Sequence, residues 1–420
     1  VGFDGLSEEV HPELGSVVTV SWTQDRAATV WVEFGYDGVA LASPARALEP
    51  GAHQELLLGV PYGRRIEWRV VADGSASPAR QVDNGPLPEG APALTVHQAA
   101  DARVDPASPY VFLSLADGYD FGGRWWVWVI DRRGQVVWST RSRPERVSIH
   151  TRVARDGRSL YVDQNSQYAV FDGGAGSSVV QLTIDGAVVH EFATPGEHHP
   201  YTDLPDGRLA YAAIDPVESE ELRIVDRAGG VTDLWSCGDW LQSLGSYGYC
   251  GSNTLNYDPL SDTFLYSLFS VETVVRIDAA SAEVQAWYGH LDGAYTFDPP
   301  ESAFWWQHGG VLTDAGTFLT SSDLSPYGEE TVAREYEIDD ATHTLREVWS
   351  FGVGEGLYGQ YSGEAVRLGN GDTLHNYGNL ARVREVTPAG EVVWDLEWDS
   401  DAIGRTMPIA DLYALAPERP

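Results

Sequence analysis

The chain repeats itself, and this repetition constrains its fold more than any other feature. A strand ending at or near Asp, a polar turn, and a second strand ending in an aromatic residue recur along it. The copies are VWVIDRRGQVVWST (127–140), VQLTIDGAVVHEF (180–192), LRIVDRAGGVTDLW (222–235), VVRIDAASAEVQAW (274–287), EYEIDDATHTLREVW (335–349) and VREVTPAGEVVWDLEW (383–398). A period of roughly 50 residues is the range of propellers and solenoids. Each copy has the turn chemistry of a hairpin, and its terminal Trp or Phe is placed to fill the space between neighbouring sheets. Asp131, Asp226, Asp278 and Asp339 fall at these turns, where a carboxylate caps its own turn backbone, so they are given no chemical role. Six copies predict six blades.

A second piece alternates with the first and often carries a DG or NG turn. It begins at His150, His199, Asn253, His308 and Gly363. In a propeller these are the inner strands, and residues entering them face the central channel. Upstream, Val18–Trp22, Ala28–Phe34, Gln54–Leu58 and Glu67–Ala72 alternate with period two between Gly- and Pro-bearing turns, as in an antiparallel sandwich. The stretch DNGPLPEGAPAL (83–94) reads as a linker. The predicted architecture is all-β: a fibronectin III-like β-sandwich over residues 1–95, then a six-bladed β-propeller over 96–420.

Charge narrows the partners. Sixty-two Asp and Glu against 27 basic residues give a net charge of −35, a field that repels phosphate backbones and anionic lipid. A small-molecule substrate is expected, and nucleic acid is not. All the basic residues are Arg, so no lysine amine is available as a nucleophile. No apolar run approaches the roughly 18 residues that span a bilayer. Cys237 and Cys250 are the two cysteines, an even and minimal count that fits one disulfide closing a loop; two buried free thiols are the alternative. A secreted or periplasmic protein is expected, and the start at Val1 fits a trimmed signal or lipoprotein leader.

The histidines gain meaning from register. Residues equivalent by blade symmetry converge on one axis, so His150, His199, Asn253 and His308 are expected to share a polar pocket. His198 should point away from that pocket if it and His199 lie on one strand. Two chemistries are open to such a cluster. A neutral imidazole serves as nucleophile or base. Alternatively His150, His199, His308 and His375 hold a divalent metal ion that polarises substrate or activates water. Trp306, Gln307 and Tyr201 are the expected substrate contacts, with the aromatics of Phe304–Trp306 as a wall for a planar molecule. A non-catalytic binding propeller is a third reading.

The runs HHPYTDLPDGRL, NTLNYDPLSDTFLYS, QHGGVLTDAGTF and EAVRLGNGDTLHNYGNLARVREVTPAGEVVWDL resemble the bacterial arylsulfotransferases that work without a nucleotide sulfate donor, over about residues 110–400. The resemblance implies a secreted six-bladed propeller that moves a sulfuryl group between phenols through a sulfated histidine. It implies that His308, in the family's Gln-His motif, is the acceptor and that His199 opens the His-x-x-x-x-Leu-Pro-x-Gly motif. Asn253 matches the Asn of a His-x-Asn motif whose His position holds Gly251. The arginine that follows in the family falls in Tyr266–Phe269, where there is none. Arg152 and Arg382 are the nearest candidates to replace it.

Overall fold

The computed structural model describes residues 1–117, 124–166, 173–214, 220–246 and 248–417. Among these residues the chain forms eight β-sheets and one short α-helix, Cys237–Ser243. Among the described residues no helix is long and apolar enough to cross a membrane.

Two sheets are built from the first part of the chain. Phe3–Val10, Val18–Gln24 and Gly51–Leu57 form one; Ala28–Tyr36 and Arg65–Ala72 centre the other. Alternate residues of Val18–Gln24 and Arg65–Ala72 are buried, as a pleated strand with one covered face requires. Val18, Val20 and Trp22 of the first sheet meet Val32, Phe34, Trp68 and Val70 of the second in one core. Leu94–Gln98 belongs elsewhere: it is the outer edge strand beside Val392–Trp398.

Six sheets follow, and the fold they make is propeller-like. The recurring hairpins are the outer strand pairs of these sheets, for example Trp126–Asp131 with Val136–Arg141 and Thr273–Asp278 with Val284–Gly289. The four turn aspartates each accept two backbone N–H groups of their own turns at 2.8–3.2 Å. Hydrophobic clusters join consecutive sheets. Val129 and Trp138 meet Leu160 and Val180; Tyr161 and Phe192 meet Tyr201 and Leu209; Leu222 and Trp235 meet Phe264 and Val275. Leu265 and Tyr288 then meet Phe318 and Tyr336, Leu319 meets Ala365, and Trp394 meets Val111 and Trp128 of the first of the six. The last sheet therefore packs on the first.

That first sheet is closed from far downstream. Ile403–Ile409 pairs antiparallel with Tyr110–Leu115 as its inner strand. The recurring inner motif supplies this strand in five sheets, and the distant segment supplies it in the sixth. Cys237 and Cys250 are joined as a disulfide with Cα atoms 6.1 Å apart. The bond ties the helix to the segment that leads into Asn253.

Candidate active site

A cavity of about 260 Å³ is lined by residues from several of these sheets, including His150, His199, Asn253 and His308. Glu364, Arg405, Phe269 and Tyr361 complete its chemically distinctive lining. His150, His199, Asn253, His308, Glu364 and Arg405 are widely separated in sequence and meet here because each lies in, or just before, the inner strand of its own sheet.

His308 lies in the strand Trp305–Leu312, whose pairing with Phe318–Ser325 is irregular on both sides of it. Trp306 adopts φ +49° and Gly309 φ +72°, so regular alternation of side chains is lost. At Gly309 a Cβ would lie 2.8 Å from Glu364 Cγ, which adds a steric demand for glycine to the conformational one. The neighbouring sheet pins the irregular segment. Asn253 Nδ2 donates to the Gln307 carbonyl at 2.7 Å, the Gly309 N–H donates to Thr254 Oγ1 at 2.9 Å, and Asn256 Nδ2 donates to the Gly310 carbonyl at 2.9 Å. These three bonds bracket His308.

The ring of His308 is held in one tautomer. Its Nδ1 is 3.0 Å from the Trp306 carbonyl, an acceptor only, so Nδ1 carries the proton and the neutral ring keeps its lone pair on Nε2. Burial lowers its pKa to about 4, against which the Trp306 carbonyl acts only in part. Phe269 packs on the ring with centroids 5.3 Å apart.

His199 is also driven neutral, chiefly by burial and then by neighbouring His198. Its Nδ1 is 2.8 Å from the His198 carbonyl and 3.0 Å from His198 Nδ1. His198 does not line the cavity; its Nε2 faces the buried carboxylate of Glu220 at 3.2 Å. Burial raises the proton affinity of Glu220, yet His198, Ser252 and Tyr266 outweigh it and the carboxyl is held below its ordinary range. His150 stands 5.0 Å from His199, ring centroid to centroid. Asp163 orients it by accepting the backbone N–H groups of Ile149 and His150 at 2.8 and 3.1 Å. The His150 pKa is strongly lowered, first by burial and then by His199 and Arg405, and its buried Nδ1 has no hydrogen-bond partner among the described residues.

Arg405 and Glu364 are the residues that sequence reasoning missed. Arg405 arrives on the closing strand, its N–H bonded to the Ile149 carbonyl at 2.7 Å. The preceding Gly404 allows that approach, because a Cβ there would sit 2.1 Å from the same carbonyl oxygen. Arg405 Nη2 contacts both Asn256 Oδ1 and Glu364 Oε1 at 2.7 Å. The Glu364 carboxyl is pushed up by burial, with Arg405 and Arg152 opposing the shift. No hairpin motif marks this arginine, so nothing in the repeat pointed to it.

Other expected site residues lie off the cavity. The Gln307 side chain is fully buried and donates to Ser267 Oγ and the Leu268 carbonyl at 3.3 Å. The Tyr201 ring is buried against Tyr161, with the Arg152 guanidinium beside it. Trp306 is half-buried, donates to the Pro326 carbonyl at 3.2 Å and packs on Phe269, which itself lines the cavity. His375 is fully buried at 3.0 Å from Ser321 Oγ, and burial takes its pKa to about 3.

The four-histidine metal set is therefore not assembled. His375 belongs to another environment, and among the described residues no three His, Cys, Asp or Glu side chains are placed to hold a metal ion. Neither suggested replacement arginine lines the cavity. Arg382 is bound to Asp395 at 2.7 and 2.6 Å, and Arg152 bonds the Tyr201 carbonyl. At the two departures from the family motifs, aromatic rings take the space. Phe269 borders the cavity, and the Tyr249 ring lies 2.7 Å from where a Cβ on Gly251 would be.

Similar solved structures include a protein of unknown function from Bacteroides caccae, at 16% identity and TM-score 0.48, covering 72% of this chain and 100% of that one. Virginiamycin B lyase from Staphylococcus aureus matches at 10% identity and TM-score 0.39, covering 76% and 100%. The β-propeller domain of Myceliophteria thermophila Cps50 (Swd1) matches at 15% and 0.44, covering 71% and 87%. At such scores none of them bears on what this chain does. No curated protein is a significant match. The model of the arylsulfotransferase (ASST) family matches residues 113–404, and the chain belongs to that family.

Proposed function

We propose that the protein transfers a sulfuryl group from an aryl sulfate to an acceptor hydroxyl through a covalent intermediate on His308. The observation that carries this reading is the fixed tautomer: a neutral imidazole on the cavity whose Nδ1–H is committed to the Trp306 carbonyl, with Nε2 left as the nucleophile. Nε2 attacks sulfur, and the S–N bond forms as the bond from sulfur to the aryl oxygen breaks. The aryloxide leaves with the electron pair and takes a proton from water. The Trp306 carbonyl steadies the positive charge on the sulfated ring through its Nδ1–H.

In the second half, the acceptor oxygen attacks sulfur and the S–N bond breaks. The acceptor's proton passes to water, which balances the proton taken up by the aryloxide in the first half. His199 donates or accepts hydrogen bonds at the cavity wall, and Asn253 acts by holding the His308 segment. Phe269 and Tyr361 suit a small aromatic substrate.

In this reading the six sheets are the blades of a six-bladed propeller over residues 96–420, preceded by a fibronectin III-like sandwich over 1–95, and the cavity opens on the central channel. The closed circle of inter-sheet contacts supports it. The disulfide supports export to an oxidising compartment.

The test is incubation with a chromogenic aryl sulfate, then rapid denaturation and peptide mass analysis. The expected result is one sulfuryl group on His308 and loss of turnover in His308→Ala. Turnover retained in that variant, or no adduct across several donors, overturns the assignment.

A further inference from the structure

A transferring sulfuryl group carries negative charge on its oxygens, and a site built for it needs a fixed cation or a set of aimed donors. The family's arginine position falls in a stretch of this chain that ends in Leu268 and Phe269, and Phe269 puts an aromatic ring on the cavity instead. Arg405 borders the same cavity from another sheet, only 5% exposed. A guanidinium carries five N–H donors in a rigid fork. Among the described residues only Nη2 of Arg405 is engaged, with Asn256 and Glu364, while Nε and Nη1 are buried without a hydrogen-bond partner. A buried guanidinium with unused donors on a cavity wall is suited to an anionic ligand.

Its surroundings are also specific. Asn256, which accepts from Arg405, donates to the Gly310 carbonyl and so shares the clamp around His308. The cation and the nucleophile are thus referenced to one asparagine. Glu364 supplies an opposing charge at 2.7 Å, and it too lines the cavity.

We propose that Arg405, brought in by the closing strand, is the oxyanion-holding residue of this cavity, with Glu364 as a resident counter-charge that an arriving anion must displace or neutralise. The proposal rests on the sulfuryl-transfer reading only for the identity of the anion. Burial already favours the protonated Glu364 carboxyl, which makes its charge the easier one of the pair to give up. Arg152, near both groups, adds positive potential but spends its Nη1 on the Tyr201 carbonyl. The three cavity imidazoles are neutral at pH 7 and do not compete as cations.

The experiment is calorimetric titration of the intact protein with inorganic sulfate, which needs no turnover. Wild type is expected to bind at one site. Arg405→Gln should weaken binding at least about tenfold, since charge-assisted bonds to the anion are lost. Arg405→Lys should fall between, keeping the charge without the fork. Glu364→Gln should tighten binding several-fold. Absence of sulfate binding in wild type, or Arg405→Gln binding as wild type does, overturns the proposal. Should Arg405→Gln not fold, an unchanged affinity in folded Glu364→Gln overturns it equally. Wild type separates the two readings: no adduct across several aryl sulfates, with Arg405-dependent sulfate binding intact, overturns the nucleophile assignment and leaves the anion site standing.

Discussion

The neutral state of His308 has a measurable consequence for catalysis in acid. An imidazole with its ordinary pKa near 6.5 would be only ~10% neutral at pH 5.5. With the pKa lowered to about 4 by burial, the ring stays almost wholly neutral at that pH. The expected kcat/KM at pH 5.5 is therefore within about twofold of its value at pH 7.5, where an unperturbed nucleophile would lose about tenfold. Initial rates with a chromogenic aryl sulfate well below KM, taken between pH 5 and 8, give the profile.

Stability must be followed in parallel, because the same shift is a folding statement. The folded pKa lies below the unfolded one, so the unfolded chain binds the proton first as pH falls. The neutral ring's contribution is complete above pH 6.5 and is lost as pH drops toward about 4, by at most about 3 kcal/mol for His308. Buried His375, taken to about 3, works in the same direction. Asp163, raised to about 7 by burial, works in the opposite one, its contribution fading as pH rises through that value. Melting curves at each pH define the window in which the protein is folded. An acid limb centred near pH 6.5 in folded protein would refute the claim that burial holds His308 neutral. Repeating the profile with Glu364→Gln removes the one carboxyl that lines the cavity among the described residues.

Two further perturbations probe the scaffold. Asn253→Ala leaves the carbonyl of fully buried Gln307 without its donor, at a cost of about 1–3 kcal/mol. A drift of His308 by about 1 Å would lower kcat about 100-fold, so urea melts and kcat together show whether the clamp positions the ring or merely stabilises the sheet. Replacing Cys237 and Cys250 by Ser opens a loop of sequence separation 13 and should cost about 3 kcal/mol. An unchanged Tm in the double variant would show that the helix and the strand entry hold together without the bond.

What was legible in the sequence was what is locally encoded. The hairpins announced themselves because an Asp-capped turn and an aromatic strand end are written within a dozen or so residues. His150, His199, Asn253 and His308 lie on one cavity because repeat register converts sequence period into spatial position. Side-chain direction was not legible where the strand departs from regularity. Gln307 and Trp306 flank an irregular register with a positive φ, so neither could be placed by counting alternate residues. His375 sits one strand in from the cavity side, paired opposite Ala365. Arg405 was invisible for a different reason. It lies beyond the last counted hairpin, on a strand whose partner was made near the beginning of the repeat array.

That closing strand also sets an order of events. Tyr110–Leu115 emerges early in synthesis and must wait with its inner edge unpaired until Ile403–Ile409 exists. Such a long-range pairing is among the slowest contacts a chain can make. A chain interrupted before residue 403 would still contain His150, His199 and His308, yet would lack Arg405 and the strand that carries it. Synthesis of the closing strand and completion of the pocket are thus the same event, and a product truncated before that strand is left without both its seam and its cation.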